Sequence, residues 1–385
     1  MKKILVLLDN TFTNDRRVSR ESESLVAAGF SVDLVAVKDV NLPEHEDANG
    51  VKVYRLFDTD IYDIKKQSCF KRYAKLIIEK FDFDIIHAND QTMLHLGSCI
   101  KKLKPSTILV YDSHELFHSW PLNASNFNSI SIMLKSYVVR KLQIWREKRN
   151  HKYIDQIITV NDSLANDLQK YLKAKRKVCV VRNIPEKSSM QGKTNVLREK
   201  FGIAPTTKIL VFIGANIYAR TLNLEQVIDE FANEDGVALV FICADNANAA
   251  PIHKYVEEKN AKNIFFHGLI PPSDIPVYLS SADAGLVPTW NKNDMSYWYA
   301  LDNKLFEYIN AGIPVLATQQ PEYVNIVDGY KCGVCVNPDI SGAYMQGFRK
   351  ILENYADLCQ NAYAAAQLLT WENEQIKLID LYKSL

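Results

Sequence analysis

The sequence lacks an excess of charge of either sign and lacks any long hydrophobic run. Its 46 Lys and Arg residues nearly balance its 45 Asp and Glu residues, so the net charge is +1. This balance favours neither nucleic acid nor an acidic partner. No apolar run approaches the roughly 18 residues that a membrane-spanning helix needs. We therefore expect no membrane span and no nucleic-acid binding.

We do not expect the first residues to be a secretory leader. The sequence begins MKKILVLLDNTF, and its apolar run stops at Asp9. That run is shorter than the roughly 7–15 apolar residues of a signal peptide, and no small-residue cleavage site follows. We interpret the run as the first β-strand.

Cysteines are few and unpatterned. The seven are odd in number and lie mostly in strand-like segments such as KVCVV and VFIC, which predicts reduced core thiols in a cytoplasmic protein. Cys332 and Cys335 form a C-x-x-C with no second pair or nearby His, which argues against zinc. Asp58 and Asp60 form a D-x-D, a motif short enough to arise by chance. We predict no protein-bound metal.

Two successive series of apolar strand-like runs alternate with helical segments. Runs so continuously apolar suit parallel sheets that are covered on both faces. The 385 residues suffice for two domains of common size, and the polar segment EKSSMQGKTN separates the series. We predict an α/β protein with two doubly wound, Rossmann-like domains, at residues 1–184 and 185–370, facing across a cleft.

Residues 301–318, LDNKLFEYINAGIPVLAT, combine a short helix, a hard stop and a strand. The apolar spacing predicts a helix over residues 303–311. Gly312 suits a left-handed C-terminal cap, and Pro314 prevents the helix from continuing. Buried strand residues follow.

Polar residues at the start of this helix suit a nucleotide sugar. Asn303 and Lys304 lie at the electropositive N-terminus, where free amides and an ammonium group can bind phosphate. Glu307, one turn later, can accept hydrogen bonds from sugar hydroxyls. The alternative is an ordinary crossover helix with a solvated Lys and Glu.

The segment NKLFEYINAGIPVLA resembles the donor-binding element of glycosyltransferase family 4 and its relatives. The resemblance implies a GT-B fold and a hexosyltransferase-type enzyme that transfers sugar from a nucleotide-sugar donor to a glycan or lipid-linked acceptor. It also implies retention of configuration, a role in surface or capsular polysaccharide synthesis, and no cofactor besides the donor substrate. By the same resemblance, the final helix, residues 371–385, crosses back to the first domain.

The resemblance assigns the donor site to the second domain. There Glu307 binds ribose, while Arg220 and Lys304 stabilise the departing nucleoside diphosphate. Ala215 and Tyr299 stand where the family usually has an Arg and a Glu. The implied donor-binding residues are Gly214, Arg220, His267, Gly268, Asn303, Lys304, Leu305 and Glu307.

Polar residues at strand ends of the first domain are candidates for the acceptor side. The sequence from Asp112 to Glu115 resembles the family's Asp-x-His-Glu segment, which implies that His114 is catalytic, together with Arg220 and Lys304. The alternative is that His114 caps the strand network. The candidate acceptor-side residues are Asp15, Arg16, His87, Asp90 and Glu115, of which Arg16 could equally be part of a solvated helix start.

A basic, partly amphipathic helix is predicted within residues 128–152. Its apolar residues alternate with Lys and Arg, so it can rest on an anionic membrane at the inner face of the cell. The alternative is a docking helix with a charged outer face.

Two other functions remain open. A sugar-nucleotide epimerase of GT-B fold would share the nucleotide site but would need acid and base carboxylates around the sugar. A catalytically silent nucleotide-binding scaffold is the other, because Tyr299 and Ala215 depart from the family pattern.

Overall fold

The chain forms two compact units. A computed structural model describes residues 2–13, 15–58, 61, 67–120, 130–187, 192–217 and 222–385, without the side chains of residues 67, 68, 130–133 and 135. The first unit comprises Met1–Asn183 and Glu374–Leu385, and the second comprises Ile184–Asn373. Each has its own sheet, which confirms the predicted pair of doubly wound α/β domains.

The first unit contains an eight-stranded sheet. Its strand order is β3-β4-β2-β1-β5-β6-β7-β8, parallel except at the edge, where β3 pairs antiparallel with β4. The sequence analysis did not predict β3. The strands are β1 (Lys3–Leu7), β2 (Ser31–Val37), β3 (His45–Ala48), β4 (Val51–Phe57), β5 (Ile85–Asn89), β6 (Ile108–Ser113), β7 (Gln156–Thr159) and β8 (Cys179–Val180).

The α-helices described in the same part of the chain are α1 (Arg16–Ala27), α2 (Gln67–Lys80), α3 (Asp90–Leu103), α4 (Ile130–Asn150) and α5 (Asp162–Tyr171). Helix α1 begins at Arg16 because the side chain of Asp15 caps it, accepting a hydrogen bond from the Val18 amide. None of the helices in the described part of the chain combines the length and apolarity that a bilayer crossing requires.

The second unit contains a six-stranded parallel sheet of order β11-β10-β9-β12-β13-β14. The strands are β9 (Lys208–Ile213), β10 (Val237–Ile242), β11 (Ile264–His267), β12 (Ala284–Val287), β13 (Val315–Thr318) and β14 (Gly333–Val336). The helices are α6 (Val196–Phe201), α7 (Leu224–Phe231), α8 (Ala250–Glu258), α9 (Ile275–Leu279), α10 (Met295–Trp298), α11 (Asn303–Asn310), α12 (Pro321–Val327), α13 (Ala343–Glu353) and α14 (Tyr355–Leu368).

The last helix, α15 (Trp371–Ser384), packs on the first unit from Glu374 onwards, as predicted. Leu378 and Tyr382 are fully buried, and the carboxylate of Glu374 accepts a hydrogen bond from the Arg182 amide. Ile376 of the same helix is 53% exposed. It lies two positions before Leu378, and residues two apart on a helix point to different faces.

Helix α11 is fixed by Tyr308 at the point where β9 and β12 separate. The ladder between these strands covers only Ala284 and Gly285 of β12. Beyond it, the Tyr308 hydroxyl accepts a hydrogen bond from the Ile213 amide at 2.9 Å and donates to the Leu286 carbonyl at 3.1 Å. A Cβ atom at Gly285 would lie 2.1 Å from the Tyr308 ring, so only glycine allows this approach.

We expect Tyr308→Phe to destabilise the protein. The substitution removes the partner of two buried backbone groups, each worth about 1–3 kcal/mol when left unsatisfied. The midpoint of urea unfolding should fall clearly. Tyr363→Phe is the matched control, because Tyr363 is exposed on α14 and should leave the midpoint unchanged. Equal midpoints for the two variants would contradict a structural role for the Tyr308 hydroxyl.

Candidate functional site

Each sheet has one point at which the strand order reverses. It lies between β1 and β5 in the first unit and between β9 and β12 in the second. In open α/β sheets, ligands bind beyond the carboxyl ends of the strands at such a point. The residues that follow these strands are therefore the primary candidates in each unit.

In the second unit, the N-terminus of α11 lies at this point. Among the described residues, no side chain caps it, although Asp302 occupies the N-cap position. The Asp302 carboxylate instead accepts hydrogen bonds from the Thr289 hydroxyl and the Lys304 ammonium group, both at 2.8 Å. The Leu305 amide donates to the Asp302 carbonyl at 3.1 Å, so the first-turn amides that remain available to an anion are those of Asn303 and Lys304.

Lys304 is held near the strands by two contacts. Its ammonium group pairs with Asp302 and lies 5.3 Å from the centre of the Phe212 ring. Burial would raise the pKa of Asp302, but the charge of Lys304 and the hydrogen bonds outweigh this effect and lower it. Asp302 is therefore ionised and offsets part of the Lys304 charge. The sequence analysis missed this carboxylate and the partner Thr289.

The other predicted residues of α11 divide by face. Asn303 is exposed at the first position, and Glu307 is half-buried one turn later. Leu305 is fully buried and anchors the helix in the core. Tyr299, which stands where the family has its first Glu, follows α10 and is half-buried.

Gly214 follows β9 and lies at the same switch point. A Cβ atom there would lie 3.2 Å from the Phe212 ring, tighter than ordinary packing. Ala215 beside it is exposed. Arg220, predicted as a catalytic and donor-binding residue, lies outside the described residues.

His267 and Gly268 lie farther from the switch point, after the edge strand β11. The buried His267 ring is held at both nitrogens: Lys200 donates to Nε2 at 2.9 Å, and Nδ1 lies 3.0 Å from the Gly268 carbonyl. With Nε2 accepting, Nδ1 carries the proton and donates. Both ring nitrogens of His267 thus contact neighbouring groups of the local fold.

A buried charged cluster lies at the carboxyl ends of β5 and β6 in the first unit. The Arg17 guanidinium donates to both oxygens of Asp112 at 3.2 Å and to the Val181 carbonyl, and it pairs with Glu21 at 2.8 Å. Burial raises the pKa of Glu21 to about 7, although the charge of Arg17 opposes this effect. The sequence analysis selected the neighbouring Arg16, which is exposed.

His87 joins this cluster to the C-terminal helix. Its Nδ1 contacts the Tyr382 hydroxyl, and its Nε2 lies 3.4 Å from Asp112. The ring is only 2% exposed, so His87 reaches a ligand only if its surroundings move. This geometry places His87 in a packing role.

His114 follows β6 and is held by two carboxylates. Its Nε2 lies 3.0 Å from Asp112 and its Nδ1 3.4 Å from Asp90, which also accepts a hydrogen bond from the His114 amide. Burial alone would lower the pKa of His114, but the charges of Asp90 and Asp112 outweigh it and raise the pKa well above its usual value. His114 therefore carries a positive charge at neutral pH.

The remaining acceptor-side candidates differ in role. Asp15 caps α1 and also accepts a hydrogen bond from the Asn10 side chain. The side chain of Glu115 is exposed, while its carbonyl accepts a hydrogen bond from the Ser113 hydroxyl. Asp90 has φ of +60°, a left-handed conformation that a non-glycine residue adopts at some energetic cost.

One group of side chains has the composition of a metal site. Ligand atoms of Glu21, His87 and Asp112 lie within 4.8 Å of one another. The Arg17 guanidinium contacts both carboxylates and already supplies the compensating positive charge. This arrangement fits an internal ion-pair network better than a cation site.

The two sequence patterns that we discounted have ordinary surroundings. Cys332 is fully buried, and burial raises the pKa of its thiol to about 12, which opposes the thiolate that a metal requires. Asp58 pairs with Lys38 at 3.0 Å. Asp60 lies outside the described residues.

A cavity of about 450 Å³ lies at the switch point of the first unit. Burial and the nearby charge of Asp90 raise the pKa of Asp9 to about 6. Phe117 and Trp120, in the segment after β6, form another part of the wall. The described lining residues include Asp9, Asp90, Gln91, Phe117, Trp120 and Gln143. Of these, only Asp90 was predicted from the sequence as a site residue.

Helix α4 has two distinct faces. Gln143 lines the cavity, while the basic residues Arg140 and Arg146 are buried. The opposite face is exposed, and its residues recur at helical spacing. It carries Leu134, Tyr137, Val138, Lys141, Trp145, Lys148 and Arg149, which we call the outer face of α4.

Two family models match the chain. The model described as Glycosyltransferase Family 4 matches residues 15–184, and the model described as Glycosyl transferases group 1 matches residues 207–354. An uncharacterized glycosyltransferase of Methanocaldococcus jannaschii is 21% identical, over 94% of this chain and 92% of that protein.

Solved structures agree on the architecture. Sucrose-phosphate synthase from Thermosynechococcus elongatus has a TM-score of 0.74 at 18% identity, covering 100% of this chain and 99% of that one. The Anabaena protein HepE in complex with UDP has a TM-score of 0.74 at 15% identity, with both chains covered completely. At these identities the likeness establishes the fold alone. Together with the family models, it shows that the chain belongs to the GT-B glycosyltransferases of family 4 and group 1.

Proposed function

We propose that this glycosyltransferase takes its sugar from a nucleotide-sugar donor bound at the second unit. The observation that carries the proposal is the open N-terminus of α11 at the sheet's switch point, with Lys304 beside it. A diphosphate there would accept hydrogen bonds from the Asn303 and Lys304 amides and from the Lys304 ammonium group, which has three N–H donors, of which Asp302 takes one. Glu307 would bind hydroxyls of the ribose. HepE, a neighbour of the same fold, was crystallised with UDP and with UDP-glucose.

The proposed chemistry is departure of the nucleoside diphosphate from an oxocarbenium-like sugar. Lys304, the helix N-terminus and Arg220 stabilise the negative charge that develops on the leaving group. The leaving oxygen then accepts the proton of the acceptor hydroxyl on the same face, so the configuration is retained and no protein nucleophile is needed. The acceptor is a glycan or lipid-linked sugar of a surface or capsular polysaccharide.

Nucleoside diphosphates should stabilise the protein against heat. A ligand present at 100 times its Kd adds about 2.7 kcal/mol to the unfolding free energy. In a panel of UDP, GDP, ADP and CDP, we expect one base to raise Tm. Lys304→Met and Glu307→Ala should weaken the binding of that nucleotide by about tenfold or more, since hydrogen bonds to charged groups contribute about 1.5–3 kcal/mol.

The matched controls are Lys254→Met and Glu258→Ala, which remove an exposed ion pair on α8. Both should keep the full nucleotide shift. If none of the four nucleotides raises Tm, the proposed donor site is wrong.

His114→Gln should reduce turnover without affecting nucleotide binding. Loss of one charge-stabilising group typically costs about 10²–10³-fold in kcat. Because the pKa of His114 is raised, its charge persists above pH 6.5, and wild-type activity should fall only as pH rises through that raised pKa. NMR of the product's anomeric proton measures turnover and should show the configuration of the donor.

His151→Gln, in the turn after α4, is the control and should leave both the rate and the pH profile unchanged. An alkaline limb that persists in His114→Gln would assign the titration to another group. An inverted anomeric centre would exclude the proposed mechanism.

We further propose that the outer face of α4 contacts the anionic inner face of the cell membrane. Val138 is 63% exposed and Trp145 50%, which is unusual for large apolar side chains on a basic surface. Lys141 and Arg149 lie over the rings of Tyr137 and Trp145, at 5.3 and 4.8 Å from the ring centres. Aromatic rings beside cations suit the boundary between headgroups and acyl chains.

Vesicle sedimentation tests this contact. The protein should bind phosphatidylserine-containing vesicles more strongly than pure phosphatidylcholine vesicles, and salt should weaken the binding. The double variant Lys141→Gln, Arg149→Gln should bind about 30-fold more weakly, since each basic residue contributes about 1 kcal/mol. Lys254→Gln is the control. Equal binding to both vesicle types would support the docking-helix interpretation instead.

A further inference from the structure

The cavity of the first unit has the walls of a carbohydrate site. It lies beyond β1 and β5, where the strand order reverses, and its volume of about 450 Å³ falls within the common range for small-molecule sites. A sugar ring offers apolar C–H faces and a rim of hydroxyl groups. The cavity offers aromatic rings for the faces and carboxylates and amides for the rim.

Phe117 and Trp120 provide the aromatic part. Their ring centres are 5.3 Å apart with planes at 46°, so they form an angled pair, and Trp120 is 43% exposed. Buried Arg140 holds this segment, because its guanidinium donates to the backbone carbonyls of both residues. The aromatic pair is thereby fixed against α4 before any ligand arrives, which lowers the entropic cost of binding.

Asp9 and Asp90 provide the polar part at the switch point. Carboxylates accept hydrogen bonds from hydroxyl donors more strongly than neutral acceptors do. Gln143 of α4 adds an amide to the lining. Burial, and then the nearby charge of Asp90, raise the pKa of Asp9 to about 6.

The charge of the lining discriminates between classes of sugar. Among the described lining residues, the single basic one, Arg140, directs its guanidinium at the carbonyls of Phe117 and Trp120. An anionic sugar would therefore meet two carboxylates. His114, 3.4 Å from Asp90, offsets part of this negative charge, and repulsion by the remainder disfavours the anion in a partly desolvated site. A neutral sugar meets no such repulsion, and its hydroxyl groups can donate hydrogen bonds to the carboxylates.

We propose that this cavity binds the acceptor's terminal sugar, and that Asp9 and Asp90 select a neutral ring over a uronic acid. The identification of this sugar as the acceptor rests on the proposed transferase function. The binding of a neutral sugar ring by the cavity stands on the first unit's residues alone.

The experiment is saturation-transfer NMR on the full chain, with methyl hexosides as neutral probes and methyl hexuronides as anionic ones. We expect neutral probes to bind and anionic probes to bind at least about tenfold more weakly. Trp120→Ala should weaken the neutral probes by about tenfold, since truncating an aromatic anchor commonly costs more than 1 kcal/mol. Asp9→Asn should reduce the preference by improving the binding of the uronides.

Tyr363→Ala is the control for Trp120→Ala, because it removes a similarly exposed aromatic side chain from α14 of the second unit. Equal binding of neutral and anionic probes by the wild-type protein would overturn the proposed selectivity. Equal losses in Trp120→Ala and Tyr363→Ala, or no binding of any probe, would overturn the site.

The nucleotide assay separates this inference from the proposed function. A retained Tm shift with no sugar binding refutes the cavity and leaves the donor site intact. Sugar binding without any nucleotide shift refutes the donor site and leaves the cavity as a carbohydrate site.

Discussion

The buried charge of Arg17 is the constraint on which the first unit depends. A guanidinium removed from water is tolerated only when carboxylates and carbonyls surround it, and removing one partner of such a pair commonly costs about 3–5 kcal/mol. Here the partners come from α1, from β6 and from the chain after β8. Asp112 serves both Arg17 and His114, so the ion pair that organises the interior also orients the histidine at the surface of the site.

The two units have electrostatic potentials of opposite sign at equivalent positions of their sheets. In the second, a helix N-terminus and Lys304 provide positive potential, and Asp302 moderates it. In the first, Asp9 and Asp90 provide negative potential. The proposed substrates match these potentials. The diphosphate needs the hydrogen-bond donors of the second unit, and the hydroxyl groups of the sugar donate to the carboxylates of the first. Tyr308 positions α11 in the second unit, and Arg140 positions the aromatic pair in the first. Each does so through hydrogen bonds to backbone groups.

Apolar periodicity was enough to predict the two series of strands, and the Gly and Pro residues after α11 predicted the Gly312 cap, because these follow from burial and local backbone geometry. The return of the last helix to the first unit was implied by the family resemblance alone. Side-chain direction was harder to predict. Arg16 was predicted as a site residue, but the start of α1 at Arg16 turns Arg17 rather than Arg16 inward. Asp302 occupies a capping position, yet Thr289, distant in sequence, bonds its carboxylate. Hydrophobic periodicity does not predict that Trp120 lines a cavity, so its role was not predicted from the sequence.

Helix α4 also sets a distance. Its inner face lines the cavity and its outer face carries the exposed aromatic and basic residues, so the two surfaces are separated by one helix diameter, about 10 Å. With the outer face on a bilayer, a sugar in the cavity stands that far above the headgroups. Only an acceptor whose sugar is joined to its lipid through a spacer of several bonds can occupy both at once. The thickness of a single helix would then act as a ruler for the length of the acceptor's linker.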